Sequence, residues 1–416
     1  MIELLKKYFG YDEFRPMQLD IIKNVLEKKD SLVIMPTGGG KSICFQLPTL
    51  KFEGLTLVIS PLISLMKDQV DSLRINGINA DYINSSLSFD EINQIQDKLL
   101  RKKTKLLYIA PERLALEEFK VFLSKLQVDL IAIDEAHCIS EWGHDFRPDY
   151  RNLKFLRILF PDVPFIALTA TATEKVRQDI IKQLSLRNPK ISISSFNRKN
   201  LNLMIIPKKK AFERIIKMLP EYKNKSVIIY CFSRKDSENI SQNLIKHGFN
   251  ALPYHAGLDN EKRKHNQELF IKDKVNIIVA TIAFGMGIDK PNVRLIIHHT
   301  FPKTLEGYYQ EIGRAGRDSL SSDCILFYSR GDKRKHEFFI NKIKDEFAKN
   351  YAETKLKQVM DLCEDSSCKR KHILNYFGED FSEDNCGACD SCLKLTNQKD
   401  IVKTEINILE KMERLD

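Results

Sequence analysis

The run Met35-Pro36-Thr37-Gly38-Gly39-Gly40-Lys41-Ser42 combines the residue types that phosphate oxygens and a divalent cation require. Consecutive glycines let backbone N–H groups close around a phosphate, Lys41 can reach the terminal phosphates, and the Ser42 hydroxyl can ligate magnesium. Met35 stands where the strict pattern has glycine. A second constellation, Asp134-Glu135-Ala136-His137, ends the apolar run Leu130-Ile131-Ala132-Ile133. Two carboxylates at the C-terminal end of a strand suit nucleotide hydrolysis. Asp134 would hold Mg2+ directly or through water, and Glu135 would orient and deprotonate the attacking water.

Cysteine placement points to a third chemistry. Of nine cysteines, Cys363, Cys368, Cys386, Cys389 and Cys392 cluster near the C-terminus, while Cys44, Cys138, Cys231 and Cys324 are scattered. In a reducing compartment this reads as a metal site beside inert thiols rather than a disulfide framework. Cys386, Cys389 and Cys392 follow one another at spacings of three, and Cys368 lies eighteen residues upstream. Four thiolates close a tetrahedral zinc site with no open position, so its role would be structural. An iron–sulfur cluster is the competing metal, separable by iron content and visible absorbance.

Strands must carry these residues. Short apolar runs recur at 31–35, 55–60, 105–110, 130–134 and 165–170 with helical stretches between them, and continuous rather than alternating apolarity indicates a parallel sheet covered on both faces. After the irregular polar stretch at 194–202 the pattern restarts at 226–230, 276–280, 294–299 and 324–328, giving a second α/β unit. From about residue 340 the strands stop, and a charged helical stretch leads into the cysteines.

The bulk properties agree. A chain of 416 residues suits two or three domains, and 43% hydrophobic with 29% charged residues excludes a mostly disordered or fibrous chain. The 66 basic and 56 acidic residues leave +10, which suits a polyanionic partner and equally a soluble basic protein. No apolar run long enough to span a membrane occurs, and MIELLKKYFGYDEF lacks the apolar core of a secretory signal. The expectation is a cytoplasmic protein, nucleoid-associated if bacterial, with no membrane partner.

The ordered set of glycine loop, Asp-Glu-Ala-His, Thr169-Ala170-Thr171 and Gln310-Glu311-Ile312-Gly313-Arg314-Ala315-Gly316-Arg317 resembles the motifs of superfamily 2 helicases. That resemblance implies two RecA-like domains that clamp ATP, with Gln310, Arg314 and Arg317 on the motif whose arginines reach the γ-phosphate. Arg317 is the expected finger. A guanidinium that neutralises the departing phosphoryl charge is worth on the order of 10³ to 10⁵ in rate.

Other segments resemble the RecQ family of DNA helicases in particular. Phe9-Gly10-Tyr11-Asp12-Glu13-Phe14-Arg15-Pro16-Met17-Gln18 is similar to the RecQ motif that precedes the glycine loop. By that resemblance Phe14, Arg15 and Gln18 contribute to nucleotide binding, and the Gln18 amide complements adenine N6 and N7. Cys138 to Tyr150, with the chain's single tryptophan, looks like the aromatic-rich loop of the family. Trp142 and Phe146 offer flat faces to unpaired bases, at about 1–3 kcal/mol per stacked base, and Arg147 offers a phosphate contact. Thr169 and Thr171 are expected beside DNA as well. Tyr254-His255-Ala256-Gly257-Leu258 and the run Val279 to Pro291 also match, and the latter implies that Gly287 and Asp289 lie near the nucleotide. Cys368 to Glu379 resembles the RecQ zinc-binding subdomain, whose first ligand stands just before a basic pair, here Lys369-Arg370, which leaves Cys363 as the odd thiol.

The resemblance thus implies two RecA-like parallel-sheet domains in tandem, at 1–196 and 197–340, a small helical zinc-binding module at 341–395 and a tail or linker at 396–416. It implies ATP, Mg2+ and Zn2+ as cofactors and single-stranded and tailed or forked duplex DNA as partners. The activity implied is a 3′-to-5′ DNA helicase or translocase of repair and recombination. An RNA helicase, or a DNA-binding or annealing scaffold, are the alternatives. Many RecQ proteins continue with a winged-helix domain where this sequence has only KLTNQKDIVKTEINILEKMERLD, so hydrolysis is expected more firmly than unwinding. Two smaller departures are Asp318-Ser319, where glycine often follows the aspartate, and Glu141, where glutamine is frequent.

Overall fold

The computed structural model describes residues 1–285 and 290–393. The chain divides by compactness into two units, Met1–Phe196 and the residues from Asn197 onward. Among the described residues, no helix is long and apolar enough to cross a membrane.

The first unit is built on seven strands: β1 (Ser31–Ile34), β2 (Leu55–Ile59), β3 (Ala80–Ile83), β4 (Leu106–Ile109), β5 (Val128–Ile133), β6 (Phe165–Thr169) and β7 (Lys190–Ile193). They form one sheet in the order β3-β4-β2-β5-β6-β1-β7, every pairing parallel. Every residue of β1, β2, β4 and β6 is buried, as continuous apolarity requires when helices cover both faces. The register Ile34↔Thr169 brings the end of β1 level with the end of β6, and Ile133↔Ala167 sets β5 beside them. The glycine loop and the acidic pair therefore leave the same, carboxyl-terminal edge, where open parallel sheets place their ligands. Asp30 holds this arrangement from below, accepting from Phe165 N at 2.8 Å and Arg187 N at 2.6 Å and pairing with Arg157 at 2.6 Å.

The second unit holds six strands: β8 (Leu201–Pro207), β9 (Ser226–Tyr230), β10 (Ala251–Tyr254), β11 (Ile277–Ala280), β12 (Val293–His298) and β13 (Ser322–Tyr328), in the parallel order β10-β11-β9-β12-β13-β8. Both sheets bear out the reading of two RecA-like domains. The nine apolar runs of the sequence are all strands, and β3, β7, β8 and β10 are additional. The stretch 194–202 is not irregular to its end, because Leu201 and Asn202 open β8 and pair with Ser322 and Asp323.

Beyond β13 come the helices Lys333–Ile340, Glu346–Glu364 and Lys369–Tyr376 and the cysteine loop. This segment packs into the second unit. Lys355, from the long helix, and Tyr376 both bond the buried Glu306 carboxylate, Tyr376 at 2.6 Å. In the cysteine loop, Leu203 N donates to Ala388 O at 2.8 Å and Asp390 N to Leu203 O at 3.1 Å, so the loop caps the outer edge of β8. A covered edge offers no template for another chain. The expected tail at 396–416 lies outside the described residues, as do Gly287 and Asp289.

Candidate active site and metal centre

In the first unit β1 ends at Ile34, and Met35 to Ser42 turn tightly into the helix Ile43–Thr49. Gly38 and Gly40 take φ of +80° and +81°, which an L side chain resists, and a Cβ on Gly39 would meet the Pro36 carbonyl oxygen at 2.9 Å. Lys41 Nζ donates to Met35 O at 3.1 Å, and Ser42 Oγ accepts from Gln69 Nε2 at 3.3 Å. Two residues of the N-terminal motif grip the same loop. Arg15 donates to Gly38 O, and Gln18 Nε2 donates to Gly40 O at 3.0 Å while its Oε1 accepts from Arg15 N at 2.9 Å. The Gln18 amide expected to read adenine is thus engaged with the loop itself. Phe14 is half-buried against Leu5, Ile22, Ile43 and Leu47.

Asp134 follows β5 and its amide bonds back to Ile59 O at 2.9 Å, so the sheet ladder aims it. Glu135 sits at φ +48°, a conformation that costs a non-glycine residue about 1–2 kcal/mol and tends to occur at functional sites. Its carboxylate meets His137 Nδ1 at 3.2 Å. Burial, and next the charge of Glu135, push Asp134 well above the usual carboxylate range. Burial acts the same way on Glu135, but the His137 hydrogen bond and charge and then the Lys41 charge outweigh it and hold Glu135 low. Lys41 lowers both, so its charge reaches the acidic pair across the sheet edge. A buried pair of like charges beside a hydroxyl and a lysine fits a divalent cation, with Asp134 and Ser42 as the oxygen donors.

Thr169 and Thr171, expected beside DNA, lie at and just beyond the end of β6. Both are buried, at 0% and 1% exposure, and the Thr169 hydroxyl lies 2.9 Å from His137 Nδ1. The Thr169 hydroxyl thereby links the end of β6 to the acidic box, and Thr171 N reaches the same hydroxyl at 3.4 Å.

The loop after the acidic box keeps its aromatic rings half-exposed. Lys175 Nζ lies 2.9 Å from the Trp142 ring centroid, and Arg151 sits over Phe146 at 5.1 Å. Glu141 is paired with Arg151, which neutralises the acidic departure noted in the sequence. Arg147 is committed to Asp145 Oδ2 at 3.1 Å and Pro61 O at 2.9 Å rather than turned outward. Two links escaped sequence reasoning. His144 stacks on His137 with centroids 4.3 Å apart, and Tyr150 OH donates to Asp134 O at 2.9 Å. The loop is therefore tied to the acidic box at Asp134 by a hydrogen bond and at His137 by a ring stack. Gly143 was the available signal: a Cβ there would approach His137 O to 2.4 Å.

In the second unit, the helix Leu305–Ile312 ends at Gly313 and the motif turns through Gly316 at φ +52°. Gln310 and Arg314 are buried, at 8% and 5% exposure, and Arg317 is half-buried. Glu311 Oε2 pairs with His298 Nε2 at 2.8 Å.

The thiols of Cys368, Cys386, Cys389 and Cys392 all lie within 4.8 Å of one another, and Cys363 is not among them. Backbone amides of Lys371, Cys386 and Cys392 point at the sulfurs of Cys368, Cys392 and Cys389 at 3.3–3.5 Å, which stabilises thiolates. Four converging sulfurs with supporting N–H groups fit a tetrahedral zinc ion with bonds of about 2.3 Å.

Comparison with known proteins agrees with this layout. Family models for the DEAD/DEAH box helicase, the helicase conserved C-terminal domain and RecQ zinc-binding match residues 15–180, 210–319 and 330–393. The chain is 47% identical over 400 residues to the ATP-dependent DNA helicase RecQ of Pasteurella multocida, covering 96% of this chain and 63% of that protein. It is 45% identical over 402 residues to the ATP-dependent DNA helicase RecQ of Bacillus subtilis, covering 96% of this chain and 68% of that protein. It therefore spans about two thirds of these relatives' lengths. Among solved structures, Saccharomyces cerevisiae Dbp5 bound to RNA and ADP BeF3 shares the fold, with a TM-score of 0.64 at 16% identity over 86% of this chain and 97% of that one.

Proposed function

Since the chain belongs to the RecQ family of helicases, we propose that it hydrolyses ATP and couples hydrolysis to 3′-to-5′ movement on single-stranded DNA. Separation of tailed or forked duplexes, in repair and recombination, is the use assigned to that movement. The observation that carries the reading is the convergence of Lys41, Asp134 and Glu135 on one carboxyl-terminal sheet edge, with the charge of Lys41 felt by both carboxylates.

In this reading Gly38 to Ser42 bind the phosphates, and Arg15 and Gln18 hold that loop in shape. Ser42 and Asp134 would hold magnesium, which when bound would neutralise charge at the phosphates. Glu135, ionised and oriented by His137, is assigned to position the attacking water and take its proton. Arg314 and Arg317 are assigned to the departing phosphoryl charge, and Gln310 to the water or the phosphate. Gly287 and Asp289 are assigned to the nucleotide by resemblance alone. Trp142 and Phe146 stack on unpaired bases, and the His144–His137 stack and the Tyr150–Asp134 bond carry that contact to the carboxylates. Zinc on Cys368, Cys386, Cys389 and Cys392 is structural, because four protein ligands leave no open position. The domain boundaries proposed are 1–196, 197–340 and 341–395.

The fold is shared with an RNA-bound protein, so the choice of DNA rests on the RecQ relatives. ATPase stimulation by single-stranded DNA and by RNA of equal length decides it, and stronger stimulation by RNA would sink the reading. Strand separation on tailed duplexes of both polarities tests direction in the same series.

A further inference from the structure

The polar run Asn197-Arg198-Lys199-Asn200 opens the second unit and reaches far beyond its neighbours in sequence. Arg198 donates to three carbonyls of the arginine motif: Gly313 O at 3.4 Å, and Ala315 O and Gly316 O at 2.9 Å each. Asn200 Nδ2 donates to Gly316 O and Leu320 O, both at 2.9 Å, and its Oδ1 accepts from Arg198 Nε at 3.3 Å. The fit is close. At Gly316 an added Cβ would lie 2.4 Å from Asn200 Nδ2 and 2.6 Å from Leu320 O, so glycine stands there because the strap touches it.

The backbone of the same run is held from its other side. Arg370, buried at 5% exposure, donates to Asn197 Oδ1 at 3.0 Å, Arg198 O at 2.7 Å and Leu201 O at 2.6 Å. It lies in the helix whose N-cap is Cys368. An unbroken series of hydrogen bonds thus joins the cysteine module to the carbonyls on either side of Arg314.

We infer that Arg198 and Asn200 are positioning residues for Arg314 and Arg317, anchored through Arg370 to the cysteine module. This rests on the role proposed above for those arginines. Fixed donors on the Gly313, Ala315 and Gly316 carbonyls hold the turn in one conformation, so the guanidiniums are presented without reorganisation. A displacement of about 1 Å at a reacting group costs on the order of 10² in rate, which is the scale at stake.

The test is kcat and KM for ATP at saturating single-stranded DNA, with zinc content and thermal unfolding of each variant. Asn200→Asp keeps the size and the acceptor facing Arg198 but sets a carboxylate against two carbonyls. Arg198→Ala removes four bonds, three of them to the arginine motif, and Arg198→Lys returns one or two. Arg198→Ala and Asn200→Asp are each expected to lower kcat about 10- to 100-fold with KM changed less than about twofold, and Arg198→Lys to recover part of the loss. In a background carrying both Arg314→Ala and Arg317→Ala, Arg198→Ala should cost nothing further, since all three act on one event. Wild-type kcat in Asn200→Asp, or a further loss from Arg198→Ala in the background lacking both arginines, would overturn the proposal. Should Arg198→Ala lose its zinc, Asn200→Asp alone decides. Wild-type kcat in Arg317→Ala would instead bring down the assigned role of the arginines, and the strap with it.

Discussion

Gln18 donates its side-chain amide to the carbonyl of Gly40 across 3.0 Å, so the helix it opens holds the loop proposed to bind phosphate. Gln18 is 3% exposed and Gly40 half-buried, so removal of Gln18 takes a donor from a carbonyl that is partly sheltered from water. An unsatisfied buried group costs about 1–3 kcal/mol. Gln18→Ala is therefore expected to raise KM for ATP about tenfold, where 1.4 kcal/mol corresponds to one decade. Steady-state kinetics check it, and an unchanged KM would remove Gln18 from the site.

Lys41 carries the largest share of the proposed phosphate chemistry, and its ammonium donates to Met35 O and Pro36 O. Lys41→Ala should abolish DNA-stimulated hydrolysis while the thermal unfolding midpoint stays within a few degrees of wild type. Residual turnover at the wild-type level would refute the assignment.

Trp142 is half-exposed with Lys175 over its face, a flat cationic platform of the kind that stacks on unpaired bases. Trp142→Ala should weaken single-stranded DNA binding by about 1–3 kcal/mol and reduce DNA stimulation, while DNA-independent hydrolysis is kept. Fluorescence anisotropy and ATPase assays with and without DNA separate these effects.

Lys355 and Glu306 form an ion pair in which the side chains are 8% and 3% exposed. Deleting one partner strands a buried charge, at about 3–5 kcal/mol, whereas replacing both by apolar residues is close to neutral. Lys355→Ala should show that loss in denaturant unfolding, and Lys355→Met with Glu306→Leu should recover most of it. Equal stability of Lys355→Ala and wild type would show that the pair does not tie the helices together.

Removing zinc should be more drastic, since the cysteine loop has few apolar residues of its own and ends on Cys389, which is fully buried. Zinc modules draw about 10–16 kcal/mol from the metal. Cys392→Ser is expected to lose zinc and expose β8 to faster amide exchange at Leu203, whereas Cys363→Ser should keep a full zinc complement. Atomic absorption and hydrogen exchange read both outcomes.

The four strands that the apolar pattern did not reveal, β3, β7, β8 and β10, are the two edges of each sheet. That is a physical result. A central strand is covered on both faces and flanked on both sides, so it reads as a continuous apolar run, whereas an edge strand tolerates polar residues and proline. β7 keeps one buried residue in four, and β10 carries Pro253.

What the amino-acid sequence determined by itself is the chemistry that depends on short spacing: the glycine loop with Lys41 and Ser42, the pair Asp134 and Glu135, and the cysteines three apart. Neighbours along the chain must be neighbours in space, so such sites are written locally. What only the tertiary structure decided is the wiring between them. The bond from Arg198 to Gly316 spans 118 positions, that from Lys355 to Glu306 spans 49, and the burial of Thr169 against His137 spans 32. Each is a contact that spacing along the chain does not announce, because a polar side chain acquires its partner only when strand order and register bring that partner within about 3 Å.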